Sequence, residues 1–189
     1  MTASIASADV AAAQAGPVVI AILPFEDRGS YGQDKEVFQA LKLRIPATLA
    51  GQLRLHPRVR LADPARIQQA VQAQNLGPDA RVDAATAAKV GNLVGARYAV
   101  TGNFADFYGK FRIDARVIDA ESGQILKIVS NNDPGLQDRT DLSRIIQALA
   151  DKIVTAIGLP TSAPTTPDAR GSSIPTEALT QYSLALRSP

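Results

Sequence analysis

The sequence predicts an α/β (α+β) domain: a mixed five-stranded sheet with helices, in the order β-α-β-α-α-β-β-β-α, with an antiparallel C-terminal meander. Three observations predict it. A continuous apolar run, Val18 to Phe25, is too short and too rich in β-branched residues for anything but a buried strand. Apolar residues then recur at helical spacing in three separate segments. Between Tyr98 and Ser130 the pattern changes to alternation broken by two glycine turns, which is how consecutive antiparallel strands read.

The elements follow in order. VVIAILPF ends at Pro24-Phe25, and the polar, glycine-bearing EDRGSYGQD after it is a loop. From Lys35 to Leu55, Val37, Leu41, Ile45, Leu49 and Leu53 recur every four residues and mark one helical face. Pro46 lies inside that helix. It removes a backbone donor, so the expectation is a kink, or two helices meeting with Pro46 in the first turn of the second. Val59 and Leu61 form a short strand. Asp63-Pro64 then opens a helix with a capping side chain and a proline at its first position, and Gly77-Pro78 stops it. A further helix covers Ala84 to Leu93, capped by Asp83 and closed by Gly95.

Three strands come next. Tyr98 to Phe107 is the first and Phe111 to Asp119 the second. In the second, Phe111, Ile113, Ala115 and Val117 alternate with Arg112, Asp114 and Arg116, so one face is core and the other is wet. Ala120 to Gly123 is a hairpin turn, and Gln124 to Ser130 the third strand. After the loop NNDPGLQDR, the residues Leu142, Ile145, Ile146, Leu149, Ile153 and Ile157 mark an amphipathic helix closed by Gly158 and Pro160. Helices are expected on one face of the sheet.

The flanks differ in character. Residues 1–16 are alanine-rich, and Ala13-Gln14-Ala15 has the small-x-small form of a signal-peptidase site without a basic n-region. A clipped signal peptide, a disordered leader and an unrelated alanine-rich helix all fit. The domain is placed at 17–159, a Pro/Ser/Thr linker at 160–175, and a helix or tail at 176–189.

Composition removes most chemistry. The 189 residues include one His and no Cys, which excludes disulfides, thiolate metal sites and cysteine nucleophiles. No phosphate-cradling glycine loop and no GxSxG elbow is present. His56 stands beside Pro57 at a helix end, where a surface role outweighs catalysis. Asp114 and Asp119 lie an odd number of residues apart on one strand and point to opposite faces, unlike paired catalytic carboxylates. Asp133, Asp138 and Asp141 lack the regular calcium-loop spacing, and helix capping by Asp138 or Thr140 explains them better. The net charge of +2 and the short basic run Arg54, His56, Arg58, Arg60 make a poor phosphate track, so nucleic acid is not an expected partner. No run of about 18 apolar residues exists to span a membrane as a helix. The expectation is therefore a non-enzymatic chain with no cofactor and no metal.

What remains is surface. One candidate is the wet face carrying Arg112, Asp114 and Arg116, with Thr101 and Asn103 beside it. A second is the sheet edge, open to a partner strand. A third is the loop after the first strand, with Asp27, Arg28, Ser30 and Tyr31, at the carboxyl end where α/β sheets often hold ligands.

The segments together resemble a known family. VVIAILPFED is similar to the opening strand of the CsgG and TolB N-terminal-like domains of bacterial envelope proteins. DAATAAKVGNLVGARYAVTGNF resembles their second signature, a helix ending in a Gly-Ala step before an apolar strand that carries Gly102. FRIDARVIDAESGQIL resembles their hairpin, and IPTEALTQYSLALR the helix that opens a tetratricopeptide-type region in some members. The resemblance implies a non-enzymatic periplasmic module for envelope assembly, secretion or scaffolding. Its partners would be envelope proteins, with homo-oligomerisation possible. It transfers no functional residues: Pro24, Phe25, Gly95, Gly102 and Gly123 match at structural positions. Three departures stand out. Without Cys this chain lacks the lipoprotein anchor of the curli channel subunit, and its turns are too short for that channel's membrane hairpins. No β-propeller follows, as one does in TolB. The alternative function is a small-ligand-sensing or regulatory domain with its pocket at the Glu26 to Asp34 loop.

Overall fold

The computed structural model describes residues 16–30, 35–74, 82–131 and 135–161. The leader, most of the linker and the C-terminal segment lie outside them, as does Tyr31. The elements are β1 (Val18–Asp27), α1 (Lys35–Arg54), β2 (Val59–Leu61), α2 (Pro64–Ala73), α3 (Ala84–Leu93), β3 (Tyr98–Phe107), β4 (Lys110–Asp119), β5 (Ile125–Ser130), β6 (Gln137–Asp138) and α4 (Leu142–Ala156). The fold is a mixed α+β structure built on one curled sheet. Its order is β2-β1-β3-β4-β5, with β6 pairing β4 beyond the end of β5. β1 runs parallel to both β2 and β3, and the rest is the expected meander. The two-residue β6 had no sequence signal, because it is too short to show a period.

Helices cover both faces of the sheet, against the expectation of one. The connection β1-α1-β2 leaves β1 in one direction and β2-α2-α3-β3 passes to its other side. Right-handed crossovers in opposite directions must place their helices on opposite faces. Two cores result. Phe38, Leu41, Ile45, Leu49 and Leu53 of α1 join the α4 stripe over Ile20, Val100, Phe104, Phe111 and Ile113. On the far side Ile67, Ala70, Ala87 and Val90 of α2 and α3 cover Ala21, Leu23, Ala99 and Ile118.

Helix α1 is one helix through Pro46 rather than two. Its first buried residue is Phe38, while the expected Val37 is exposed. A strict four-residue spacing drifts off a 3.6-residue turn, and one three-residue step restores the face. The caps are as read: Asp63 Oδ1 accepts from Ala65 N at 2.7 Å, and Asp83 Oδ1 from Thr86 N at 2.8 Å. Asp138 caps the 3-10 turn Arg139–Asp141 that leads into α4, accepting from Thr140 N at 3.0 Å. The β3-β4 hairpin turns on Tyr108 and Gly109 at φ 53° and 86°, the paired positive values of a type I′ turn.

Two local devices shape the sheet. In β1 the register against β3 shifts between Ile22 and Phe25, a bulge that contains Pro24. It turns Phe25 into the α1/α4 core, above Gly102. A Cβ on Gly102 would lie 2.4 Å from Asp114 O and 2.5 Å from Phe25 Cε1, so only glycine fits. In the gap between β5 and β6, buried Asn131 stands in for a strand. Its Oδ1 accepts from Ile113 N at 2.7 Å, and its Nδ2 donates to Phe111 O at 3.0 Å.

Candidate functional site

A groove of about 1170 Å³ opens between α1 and α2 at the carboxyl ends of β1 and β2. It forms there because the chain leaves β1 toward one face and β2 toward the other, which parts the two helices. The walls are Leu43, Ala47 and Ala50 of α1, with Ile67 and Val71 of α2. Ile22, Pro24 and Leu61 floor it, and Asp27, Arg28 and Gly29 line its end. Of the candidate loop residues, Asp27 and Arg28 thus border a cavity. Ser30 serves the loop itself: its hydroxyl donates to Asp27 Oδ1 at 2.7 Å and accepts from Asp106 N at 3.1 Å. Asp27 Oδ1 also accepts from Ser30 N at 3.0 Å and Gly29 N at 3.2 Å. Glu26 is likewise committed, accepting from Val82 N at 2.7 Å.

The second region is the wet face of β4. Register places Arg112, Asp114 and Arg116 opposite Ala105, Asn103 and Thr101 of β3. Arg112 Nε donates to Asp114 Oδ2 at 2.9 Å. Arg116 Nε is buried and has no hydrogen-bond partner among the described residues. This is the α2/α3 face: Thr101 is fully buried, against the expectation of a wet position, and Arg116 lies near enough to the Asp83 cap of α3 to help lower that carboxyl, so the stripe is wettest at Arg112. On the other side of β4, Arg116 pairs with Ile128 and Asp114 with Ser130. The polar stripe therefore runs directly into β5, the edge strand.

Edge strand β5 carries more than the sequence showed. Ile128 is 60% exposed, and Ile125 and Leu126 are each 44% exposed. At the Ser130 end the edge is closed by Lys152 of α4, whose Nζ donates to Ser130 O at 2.7 Å. From Ile125 to Ile128 it is open among the described residues. A signal was present. The parity of β4, carried across the hairpin, puts Ile128 on the wet face, so an apolar residue was due to stand beside Arg116.

His56 is buried, not at the surface as expected. Its Nε2 donates to Pro160 O at 2.9 Å while Nδ1 accepts from Arg58 N at 3.2 Å. It staples the end of α1 to the segment after α4 and breaks the basic run by turning inward. Asp119 faces Arg97, 3.1 Å away, while Asp114 lies on the opposite side of the sheet. The Asp119 carboxyl is held below the usual range, first by the backbone N–H of Ser122 and then by Arg97. Asp138 is lowered by Thr140, and Asp83 by Thr86, with Lys89 and Arg116 adding to the latter. Each of these shifts comes from a cap or turn. Among the described residues, no group of three His, Cys, Asp or Glu side chains could hold a metal ion. No described helix is long and apolar enough to cross a membrane.

No family model matches the chain. No curated protein matches it either. Several solved structures are similar to it over part of their length. The LpoB C-terminal domain from Escherichia coli is 18% identical, covering 60% of this chain and 79% of that one with a TM-score of 0.43. TolB from Acinetobacter baumannii is 18% identical, covering 77% of this chain and 30% of that one with a TM-score of 0.47. Lipoprotein GNA1162 from Neisseria meningitidis is 15% identical, covering 73% and 97% with a TM-score of 0.49.

Proposed function

We propose that this chain is a non-enzymatic protein-interaction module of the bacterial periplasm, used in envelope assembly, secretion or scaffolding. One observation carries the interaction: the Arg112-Asp114-Arg116 stripe is continuous with the exposed apolar edge Ile125 to Ile128. Natural sheets protect edge strands with charge, bulges or cover. This edge has a charge at Lys127, a bulge opposite Val117 and Ile118 and cover at Ser130, yet it exposes Ile125, Leu126 and Ile128, which suits a partner strand whose main chain would bond β5 while its side chains meet Ile128 and the charged stripe. Placement in the envelope rests on the resemblance of VVIAILPFED and the two later signatures to the CsgG and TolB N-terminal-like domains. A second reading, a small-ligand domain, is favoured by the groove beside Asp27 and Arg28.

The test is a photo-crosslinking residue at Ile128 in the full chain, expressed in the periplasm, with a second chain labelled at exposed Lys89 as the comparison. Adducts with envelope proteins specific to position 128 are expected. Adducts that are absent, or the same from both positions, would overturn the assignment of this face.

A further inference from the structure

We propose that the groove between α1 and α2 is a strand-addition site for an extended peptide with alternating apolar and acidic side chains. This rests on the broader reading that the chain works by binding polypeptides. It uses a surface on the opposite edge of the sheet from β5.

The first support is an unfinished ladder. β2 pairs only with the first residues of β1, Val18 to Ile20, yet β1 runs on to Asp27. Successive residues of a parallel strand turn their backbone groups to alternate sides. Ile20 gives its carbonyl to Ala62 N on the β2 side at 2.9 Å, and Val19 gives its to Arg97 N on the β3 side at 2.9 Å. Ile22 therefore turns toward the groove. Beyond the bulge, Arg28 N bonds Phe104 O of β3 at 2.8 Å, so Asp27 and Phe25 also turn to the groove. No described residue pairs with β1 there. Backbone donors and acceptors in an apolar cleft need partners, and a hydrocarbon or a small aromatic ligand cannot supply them in a row. The open stretch from Ile22 to Asp27 matches about six extended residues at roughly 3.3 Å each.

The second support is charge. The carboxylates at the groove, Glu26 and Asp27, are already bonded to backbone and hydroxyl donors. Arg28 and Arg54 are exposed at its rim and form no ion pair among the described residues. The lining counts Arg28, Lys42 and Arg54 against Glu26 and Asp27, so it keeps a positive balance of one charge for a ligand to meet. An added strand turns alternate side chains to opposite faces, so its apolar set meets Ile67 and Val71 of α2 and its acidic set meets the α1 wall, where Lys42 and Arg54 stand beside Leu43 and Ala47.

The probe is a blocked hexapeptide of alternating valine and glutamate, titrated into the isotope-labelled full chain with amide shifts and calorimetry as readouts. Two companion peptides carry lysine for glutamate, or N-methyl groups on alternate amides. The glutamate peptide is expected to bind and to shift the amides of Ile22 and Asp27. The lysine peptide should bind at least about tenfold more weakly, and the N-methyl peptide should lose binding. Ala47→Trp, at an exposed position, should weaken the glutamate peptide at least about tenfold. Arg28→Glu with Arg54→Glu should reverse the preference to lysine. Equal binding of the N-methyl peptide would overturn strand addition, and equal binding of the lysine peptide would overturn the charge assignment. No peptide binding would overturn the proposal, whether or not decanoate saturates the groove. Shifts confined to β5 would also overturn it, while leaving the β5 assignment standing; the crosslinking result at Ile128 leaves the groove untouched in turn.

Discussion

Replacing Asn131 with Ala removes both bonds that its amide makes in the gap between β5 and β6. The Ile113 N–H and Phe111 C=O, bonded now at 2.7 and 3.0 Å, are left without those partners beside a core that holds Phe111 and Ile113. Each buried orphan costs about 1–3 kcal/mol, so the loss should be about 2–6 kcal/mol. That is a large share of the 5–15 kcal/mol typical of a domain. Urea titration followed by far-UV circular dichroism should show a lower midpoint with an unchanged slope. In a thermal scan the midpoint should fall by roughly 6–18 °C. Asn131→Asp sharpens the test. One carboxylate oxygen can still accept from Ile113 N, but the other meets the Phe111 carbonyl until it is protonated. The folded state then raises that carboxyl's pKa. Its stabilising bond is complete below the unfolded value near 4 and is lost as pH rises through the folded value. The stability gap between Asn131→Asp and the parent should therefore widen from about pH 5 to about pH 7.5. A loss under about 0.5 kcal/mol for Asn131→Ala, or a pH-independent gap for Asn131→Asp, would refute the account of Asn131 as a surrogate strand.

Further predictions follow from other sites. Gly102→Ala should destabilise by about 3 kcal/mol through overpacking, because a Cβ meets backbone at Asp114 O as well as the Phe25 ring. Pairing it with Phe25→Leu should recover only part of the loss in chemical denaturation, and full recovery would show that the backbone contact does not matter. Acid should unfold the domain partly through Asp119, Asp138 and Asp83, all lowered in the folded state. Their contribution is present above the ordinary carboxylate value and lost as pH falls through the folded one. Asp119→Asn should flatten the stability slope from about pH 5 to about pH 3, measured by thermal melts. An unchanged slope would contradict the role given to Ser122 N–H and Arg97.

Much of the chain was legible from local pattern. The α4 stripe, the Asp63 and Asp83 caps, the glycine turns and the span of β3 all reflect interactions within a few residues of one another. Local periodicity and dihedral preference are enough to show these. The three described loop candidates, of the four expected, illustrate the limit. Asp27, Arg28 and Ser30 adjoin in sequence, but only Asp27 and Arg28 border the groove, while Ser30 turns to Asp106 on β3. The groove walls left no local signal, because Leu43, Ala47 and Ile67 become neighbours only when α1 and α2 settle on opposite faces.

By itself, then, the sequence determined the class of fold, the order of its elements, the alternation of β4 and the poverty of catalytic groups. Each depends on residue identity and short-range spacing. Tertiary structure alone decided that helices occupy both faces, that β2 pairs with only the first residues of β1, and that Ile128 stands beside Arg116 on the edge strand. Those facts depend on which way each crossover turns and where each ladder ends. Crossover direction and ladder length are properties of long-range pairing, so no window of neighbouring residues contains them.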